Sequence, residues 1–419
     1  MTPYLERLAT FRRFGMRPGL GTMREICAAL GDPGRMAKTI HIAGTNGKGA
    51  VAAIIDAALR AAGYRTFRYT SPHLLRLNER FFIDGEPAPD ALLDRLAERV
   101  ERAAAGRETT FFEALTAVAF LSVEEAKPDF AILETGLGGR LDATNVCSPA
   151  LTVVTKIGLD HCDWLGGTIA EIAAEKAGIA KAGVPLVIGE NPREALDALE
   201  RRAREVGAPV IYAPDIASEG KIPPGFSLEG SFNRENAVTA IAALKTLFPQ
   251  CATSDTGPKW ASLMDGFGRV VWPGRFQRVG NFIIDGAHNP PAANALVRAL
   301  DETGAGRMNL VAGFCGDKDS DEVLRILAPR VAAGFAVRTS NPRSLPSEDV
   351  AAKMKSAGID AIPCETVESA LRLAGSAPTL ICGSLFLAGE VLALLGAYPW
   401  PAGDTTSIDP SEILSDSTL

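Results

Sequence analysis

Residues 39–50 read TIHIAGTNGKGA, an apolar run followed by three glycines and one lysine. The apolar residues 39–43 predict a buried strand, and residues 50–62 predict a helix that ends near Gly63. Small residues between a strand and a helix let backbone N–H groups surround a phosphate, and the helix N-terminus also attracts anions. Lys48 would add a positive charge beside the β- and γ-phosphates. The stretch therefore predicts a nucleotide-binding α/β domain.

The loop departs from the general P-loop pattern at two positions. Ile42 stands where the pattern has its first glycine, and Gly49 stands where it has a Ser or Thr whose hydroxyl binds magnesium. A metal ion would therefore need oxygen ligands from elsewhere in the chain. A plain glycine-rich turn is the alternative interpretation, but the flanking strand and helix favour nucleotide binding.

Apolar runs of strand length alternate with amphipathic stretches along most of the chain. Further strands are predicted at residues 130–134, 151–155 and 184–188. A helix is predicted at residues 168–182, with Thr168 as its N-cap and Glu171 completing a capping box. This alternation is typical of a mostly parallel sheet that is covered by helices.

A second α/β block follows the sequence Trp-Pro-Gly-Arg-Phe at residues 272–276, which is the expected hinge because Pro-Gly interrupts helices and strands. Its predicted strands and helix are residues 282–285, 291–300, 309–313 and 379–383, of which 291–300 is the helix. We expect one domain at residues 1–275 and a smaller one at residues 282–400. Residues 401–419 are polar and predict a disordered tail.

The composition argues against several classes of protein. The 419 residues carry 43 Lys and Arg against 50 Asp and Glu, and this net charge of −7 disfavours binding to nucleic acid. No apolar run approaches the about 18 residues of a membrane helix, and the first residues lack an apolar signal core. The seven cysteines contain no CxxC pair, so we expect a cytoplasmic protein with reduced thiols.

The phosphate loop is the first of an ordered series of motifs. They are GTNGKG at 44–49, TSPHL at 70–74, NER at 78–80, TFFE at 110–113, ETGLGGRLDATN at 134–145, DH at 160–161, WLG at 164–166, EKAGI at 175–179, PGRF at 273–276, DGAHNP at 285–290, DKD at 317–319 and GSL at 383–385. The series resembles the folylpolyglutamate synthase and dihydrofolate synthase family of the Mur ligase superfamily. Three of the four histidines, at 73, 161 and 288, lie inside these motifs, whereas His41 keeps a structural interpretation.

The resemblance implies an α/β fold with an N-terminal P-loop ATPase domain and a smaller C-terminal Rossmann-like glutamate-ligase domain. It also implies an ATP-dependent ligase, in which a substrate carboxylate attacks the γ-phosphate and glutamate then attacks the acyl phosphate. The first step brings two anions together, so cations at the site should dominate catalysis. The implied small-molecule partners are ATP, L-glutamate, and dihydropteroate or a reduced folate, and the implied oligomeric state is a monomer.

The resemblance also assigns roles to residues. Those implied near ATP are Gly44, Thr45, Asn46, Gly47, Lys48, Gly49, Ala50, Asn236, Arg275, Asp285 and His288. The implied ligands of one or two Mg²⁺ ions are Ser71, Glu134 and His161, and the implied catalytic residues are Lys48, His161 and Lys176. The implied substrate-binding residues are Pro72, His73, Thr110, Phe111, Phe112, Glu113, Arg140, Asp142, Asp317 and Ser384. Lys176 matches a lysine that the superfamily carbamylates, and Ala50 replaces the usual Ser or Thr.

Two other functions remain open at this point. A Mur-type ligase for cell-wall peptide precursors would need a further N-terminal domain, for which a phosphate loop at residue 44 leaves no room. The segments 71–73 and 110–113 also favour a folate substrate, although Phe111 and Phe112 could equally be core residues. A nucleotide-binding regulatory protein without ligase activity would be expected to lack several of the implied catalytic and metal residues, which are all present.

Overall fold

The computed structural model describes residues 7–8, 11, 19–33, 37–252, 257–316 and 318–400. Two separate β-sheets, of eight and six strands, lie on the two sides of the predicted hinge. The predicted tail at 401–419 lies outside the described residues. Among the described residues, no helix has the length and apolar character needed to cross a bilayer.

The first sheet has its amino-terminal strand in the middle. Its strands are β1 (Lys38–Ala43), β2 (Thr66–Tyr69), β3 (Phe81–Ile83), β4 (Glu86–Pro87), β5 (Phe130–Glu134), β6 (Pro149–Val154), β7 (Leu186–Ile188) and β8 (Val210–Tyr212). The spatial order is β4-β3-β2-β5-β1-β6-β7-β8. All pairs are parallel except β2 with β3 and β3 with β4. The carboxyl ends of β1, β5 and β6 therefore meet at the centre of one sheet edge, where α/β sheets bind ligands.

Helices cover both faces of this sheet. They are α1 (Gly21–Ala29), α2 (Lys48–Ala61), α3 (Asp90–Ala104), α4 (Phe111–Ala126), α5 (Cys162–Leu165), α6 (Ile169–Ala177), α7 (Arg193–Val206), α8 (Ala213–Ile216), α9 (Ser231–Leu247), α10 (Pro249–Ala252) and α11 (Pro258–Asp265). Short 3₁₀ turns lie at Leu77–Arg80, Ala143–Val146, Glu219–Lys221 and Gly266–Arg269. In β5, Ile132 packs into the core on one face and Leu133 into the core on the other, as the two-residue strand period requires.

The second sheet is smaller and almost entirely parallel. Its strands are β9 (Gln277–Val279), β10 (Phe282–Ile284), β11 (Met308–Ala312), β12 (Val331–Ala336), β13 (Ala361–Pro363) and β14 (Thr379–Cys382). Its helices are α12 (Pro290–Glu302), α13 (Ser320–Leu327), α14 (Ser347–Ser356), α15 (Val367–Ala374) and α16 (Leu385–Leu394), with a 3₁₀ turn at Ala328–Arg330. The order is β13-β12-β11-β14-β10-β9, and only β9 is antiparallel to its neighbour. The α/β class and the mostly parallel sheets are thus confirmed.

Two local expectations differ from the structure. The helix expected at 168–182 begins as predicted, with Thr168 and Glu171 forming the capping box, but it ends at Ala177. Gly178 follows the last helical residue, as is common at helix ends, and packs against Arg140, where a Cβ atom would lie 2.4 Å from the Arg140 Cα. The second sheet also begins earlier than residue 282, since β9 lies between the two expected domain ranges.

One buried histidine in β1 makes the fold sensitive to acid. His41 is fully buried, and its Nε2 lies 2.8 Å from Thr144 Oγ1. Burial lowers the pKa of His41 to about 3, whereas an unfolded histidine titrates near 6.5. The folded state therefore resists protonation, and its stability falls as the pH drops below about 6.5, by at most about 1.4 kcal/mol per pH unit.

The substitution His41→Gln removes this titration but keeps a polar side chain. We expect the free energy of unfolding to fall less between pH 7 and pH 5 in the variant than in the wild type, by up to about 2 kcal/mol. Urea unfolding followed by circular dichroism at the two pH values measures the difference. An equal loss in both proteins would contradict the assignment.

Candidate functional site

A cleft between the two sheets brings most of the predicted site residues together. It encloses about 360 Å³ and is lined by residues from both sides of the hinge. Every residue that the sequence assigned to ATP or to the metal lines this cleft, and so does Lys176. These residues are Gly44, Thr45, Asn46, Gly47, Lys48, Gly49, Ala50, Ser71, Glu134, His161, Lys176, Asn236, Arg275, Asp285 and His288.

The phosphate loop has its conformation fixed by close packing. Gly47 has a φ of 86° and caps α2, which begins at Lys48. A Cβ atom on Gly47 would lie 2.2 Å from the side-chain oxygen of Asn236, and a Cβ atom on Gly49 would lie 2.2 Å from the ring of Trp272. Both positions therefore require glycine. Within the loop, the N–H groups of Thr45 and Asn46 donate to the Lys156 carbonyl at 2.8 and 3.2 Å.

A buried acid faces the loop lysine. Lys48 Nζ lies 3.8 Å from a carboxylate oxygen of Glu134 and donates to the Thr45 carbonyl at 3.2 Å. Glu134 ends β5 and accepts a hydrogen bond of 3.1 Å from the backbone N–H of Ser71. Burial raises the pKa of Glu134, and the charge of Lys48 opposes that rise. Burial has the larger effect of the two, so the pKa of Glu134 lies above its usual value at the edge of the loop.

Asp160 joins the two domains beside His161. It accepts a hydrogen bond of 2.7 Å from Asn289 and lies 3.4 Å from Lys318 Nζ. Although burial alone would raise it, the charge of Lys318 holds the pKa of Asp160 well below its usual range. Burial lowers the pKa of His161 to about 4, so its ring is neutral at pH 7, and its Nε2 lies 3.4 Å from Lys318 Nζ. Asn289 also contacts Asn46 of the loop at 3.3 Å.

Lys176 lies beneath the phosphate loop. Its side chain is buried, and Nζ donates to the Gly44 carbonyl at 2.8 Å. Burial lowers the pKa of Lys176 to about 7, and the nearby charge of Lys48 contributes to the shift. A large fraction of this amine is therefore neutral at physiological pH, which makes it an unusual lysine.

The second domain contributes Arg275 to the cleft, together with Asp285 and His288 beside the turn after β10. The guanidinium of Arg275 lies 5.9 Å from the ring of Trp272, and burial lowers its pKa. Asp285 accepts hydrogen bonds of 2.8 Å from the backbone of Phe276 and of Ala287, which fixes the turn after β10. Burial lowers the pKa of His288 to about 4. In this structure the carboxylate of Asp285 therefore binds backbone N–H groups at the wall of the cleft.

The donor set fits a hard divalent cation. No group of three or more His, Cys, Asp or Glu side chains in the described part of the chain could hold a metal by itself. The hydroxyl of Ser71, the carboxylate of Glu134 and the neutral imidazole of His161 nevertheless line the same cleft. Oxygen ligands with one imidazole, completed by phosphate oxygens and water, suit Mg²⁺ or Mn²⁺.

Several residues predicted to bind substrate lie outside the cleft. Thr110 and Glu113 form the capping box of α4, and Phe111 is buried in the core of the first domain. Arg140 pairs with Glu175 at 2.7 Å on the surface. Of the residues predicted to bind substrate, those outside the cleft are His73, Thr110, Phe111, Phe112, Glu113, Arg140, Asp142 and Ser384, while Pro72 lines it. Asp317 lies outside the described residues.

These outlying residues have structural partners. Asp142 caps a 3₁₀ turn through Thr144, and Ser384 caps α16 by accepting from the Phe386 N–H at 3.1 Å. His73 is buried and accepts from Arg80 Nε at 3.0 Å. The ring of Phe112 lies beside Gly136, where a Cβ atom would be 2.4 Å from it. A sequence motif therefore marked positions of structural as well as chemical importance.

Some cleft residues had no predicted role. Asp160, Trp272 and Asn289 all lie within quoted segments of the sequence, so the signal was present but their role was not assigned. Lys156 follows β6 and lies 3.9 Å from Glu235. No sequence motif contains Lys156. Its contact with Glu235 depends on the fold, which places α9 beside the end of β6.

Family models match most of the chain. The model described as "Mur ligase middle domain" matches residues 42–244, and the model described as "Mur ligase, glutamate ligase domain" matches residues 274–384. The two matched regions contain the two β-sheets almost completely. They also place the phosphate loop in the first region and Arg275 in the second.

Whole-length relatives share the same organisation. The dihydrofolate synthase/folylpolyglutamate synthase of Bacillus subtilis is 34% identical over 412 residues, covering 90% of this chain and 95% of the relative. The solved E. coli FolC in complex with DHPP and ADP is 29% identical with a TM-score of 0.83, covering 94% and 97% of the two chains. A bifunctional folylpolyglutamate synthase/dihydrofolate synthase with Mn, AMPPNP and L-glutamate bound is 31% identical with a TM-score of 0.80, covering 93% and 97%.

The contact between Gly49 and Trp272 can be tested directly. We expect Gly49→Ala to weaken nucleotide binding by at least about tenfold, because the added methyl group must displace the tryptophan ring or the loop. Isothermal titration with a non-hydrolysable ATP analogue measures the effect. Gly306→Ala is the matched control, since its Cβ atom would meet nothing within 4 Å. Equal affinity of Gly49→Ala and the control would refute the close contact.

Proposed function

Because the chain belongs to the folylpolyglutamate synthase and dihydrofolate synthase family of Mur ligases, we propose that it adds L-glutamate to dihydropteroate or to reduced folates at the interdomain cleft. It is an ATP-dependent ligase that joins a carboxylate to an amine. The observation that carries the residue assignments is the meeting of the phosphate loop, Glu134, His161 and Arg275 in one cleft. The proposal rests on this geometry together with the shared organisation of the relatives.

The first step needs positive charge at a buried point. The acceptor carboxylate attacks the γ-phosphate, and both groups are anions that repel each other. ATP binds with its phosphates on the N–H groups at the start of α2. Lys48 lies on one side of this position, and Arg275 lies on the other domain with its guanidinium buried. Charges held in a site with little water stabilise the transition state more strongly than exposed charges do.

A divalent cation completes the charge balance. We assign its protein ligands to Ser71, Glu134 and His161, of which Ser71 supplies the hydroxyl that the loop lacks at Gly49 and Ala50. When bound, Mg²⁺ screens the negative charge of the phosphate oxygens. The charge of Lys48 favours the ionised form of Glu134 against the effect of burial, and burial keeps His161 neutral; these are the protonation states that a metal ligand needs.

The second step depends on the two domains lying together. The amine of glutamate attacks the acyl phosphate and releases phosphate, so water must be kept away from the reactive intermediate. Asp160, Asn289 and Lys318 connect the domains at the wall of the cleft. Asn46 extends this connection to the phosphate loop. This contact between loop and domain would link nucleotide binding to the closed arrangement.

The ligase activity can be separated from the alternatives by its substrate dependence. ADP release is measured with dihydropteroate, with a reduced folate, with glutamate, and with each pair, and labelled glutamate follows the product. Strict dependence on one acceptor plus glutamate supports the ligase, and the extended acceptor distinguishes the two activities. Turnover without acceptor, or none with any pair, would favour a nucleotide-binding regulatory protein. Turnover only with a cell-wall peptide precursor would favour another Mur ligase.

Lys48 provides the sharpest variant for this assay. We expect Lys48→Ala to lower kcat by at least about 100-fold, because removing one donor from a preorganised anion-binding site has an effect of that size. The exposed Lys355 provides a matched Lys→Ala control in the second domain. Near-normal turnover of Lys48→Ala, with a melting temperature equal to that of the control, would refute its role at the phosphates.

We also propose that Lys176 becomes carbamylated. Forming a carbamate needs the neutral amine, and burial has already lowered the pKa of Lys176 to about 7. The charge of Lys48 disfavours a second ammonium but would favour an anionic carbamate at the same place. The modified side chain could then orient a second metal ion.

The carbamate should form as the pH rises through about 7, because the neutral fraction of Lys176 grows there. We expect a carbamate carbon signal in NMR spectra of the protein with ¹³C-bicarbonate at pH 8, and a weaker signal at pH 6. Lys176→Arg should abolish it. Absence of the signal from the wild type at pH 8 would contradict the proposal.

We propose that the enzyme acts as a cytoplasmic monomer without nucleic acid or a membrane as partner. The net charge of −7 supports the exclusion of nucleic acid, and the free cysteines of the described residues are compatible with a reducing compartment. Sedimentation equilibrium across a range of concentrations tests the monomer.

A further inference from the structure

The loop at residues 71–76 connects the cleft to both domains. Ser71 and Pro72 line the cleft, and the following residues run along the surface of α16 in the second domain. The loop follows β2 of the first domain along the chain. In space, it packs against α16 of the second domain. Its conformation therefore depends on groups from both.

The carboxylate of Glu79 binds the backbone at the C-terminal end of this loop. It accepts hydrogen bonds from three successive N–H groups, those of Leu74 at 2.7 Å, Leu75 at 2.8 Å and Arg76 at 2.6 Å. A fourth donor comes from the second domain, since the hydroxyl of Tyr398 donates to Glu79 at 2.5 Å. Glu79 is 6% exposed, so little water is available to replace a lost donor.

Leu74 anchors the same loop in the second domain by packing. Its side chain is 7% exposed and belongs to the hydrophobic core formed by β10, β14 and α16. Gly389 of α16 lies against the loop backbone, because a Cβ atom there would be 2.8 Å from the Leu74 carbonyl oxygen. The side chain and the backbone of this one residue are thus both held by the second domain.

The segment that carries Tyr398 returns to the first domain. The ring of Trp400 lies 5.0 Å from that of Phe82 in β3, and the rings of Tyr398 and Trp400 are 5.6 Å apart. Residues 398–400 therefore bridge from the end of α16 to β3 of the first sheet. The hydroxyl of Tyr398 is held above Glu79 by this aromatic packing.

We propose that Tyr398 is a positioning residue for the acceptor substrate. It acts through Glu79 on the N–H groups of residues 74–76 and so sets the path of the loop whose first residues enter the cleft. The effect on substrate rests on the proposed function, in which the acceptor carboxylate reacts in the cleft that Pro72 lines. Ser71 is held separately, because its N–H donates to Glu134 at 3.1 Å, so a displacement of the loop falls on Pro72 and the residues after it. The positioning of the loop itself does not rest on that function.

The test compares two Tyr→Phe variants. Tyr398→Phe removes only the hydroxyl above Glu79 and keeps the ring packing. Tyr212→Phe is the matched control, because its hydroxyl donates to Glu200 at 2.6 Å in a Tyr–Glu pair outside the cleft. We expect Tyr398→Phe to raise the KM for the acceptor by about threefold to tenfold. The KM values for ATP and glutamate should stay within about twofold of the wild type, as all three should in the control.

A second measurement observes the loop without any substrate. Hydrogen exchange of the amides of residues 74–76 should be faster in Tyr398→Phe than in the wild type and unchanged in Tyr212→Phe. Unchanged exchange in Tyr398→Phe overturns the proposal, and so does an equal rise of all three KM values. If the wild type extends no acceptor, the proposed function fails, and the exchange result alone decides whether Tyr398 positions the loop.

Discussion

The lack of free space around the phosphate loop is the constraint on which the site depends. Gly47 lies against Asn236 of α9 and Gly49 lies against Trp272 of the hinge, at distances that leave no room for a methyl group. Gly47 and Gly49 lie at the start of α2, directly after the central strand β1 and its loop. Because Arg275 follows Trp272 by only three residues, the packing of Gly49 against Trp272 also limits where Arg275 lies.

Burial governs the charges of the cleft as strongly as their pairing does. It lowers the pKa of His161, His288 and Lys176, and it raises that of Glu134. Asp160 is the contrary case, since the charge of Lys318, the two neighbouring histidines and the hydrogen bond from Asn289 together outweigh its burial and keep it ionised. The ion pair of Asp160 and Lys318 therefore crosses the domain boundary among groups whose neutral forms burial favours. The neutral imidazole of His161 suits a metal ligand, while the ion pair of Asp160 with Lys318 attracts the two domains to each other.

The sequence was most informative where chemistry and backbone geometry require the same residue. Residues 39–50 predicted the strand, the loop and the helix, because glycine and lysine serve both needs there. The end of α6 at Ala177 has a signal in the sequence, since Gly178 follows it directly, but the predicted range continued to residue 182. Thr110 and Glu113 match a substrate motif and also form a helix capping box, so the sequence pattern alone serves two interpretations. No motif contains Lys156, whose partner Glu235 lies on α9, far away along the chain.

The two domains are joined at several separated places. The chain crosses between them at residues 272–276, Asp160 contacts Asn289 and Lys318, and residues 398–400 return onto β3. Asp160 and Asn289 line the cleft, whereas Trp400 and Phe82 do not. A ligand in the cleft can therefore exchange hydrogen bonds with the polar contact without touching the aromatic one.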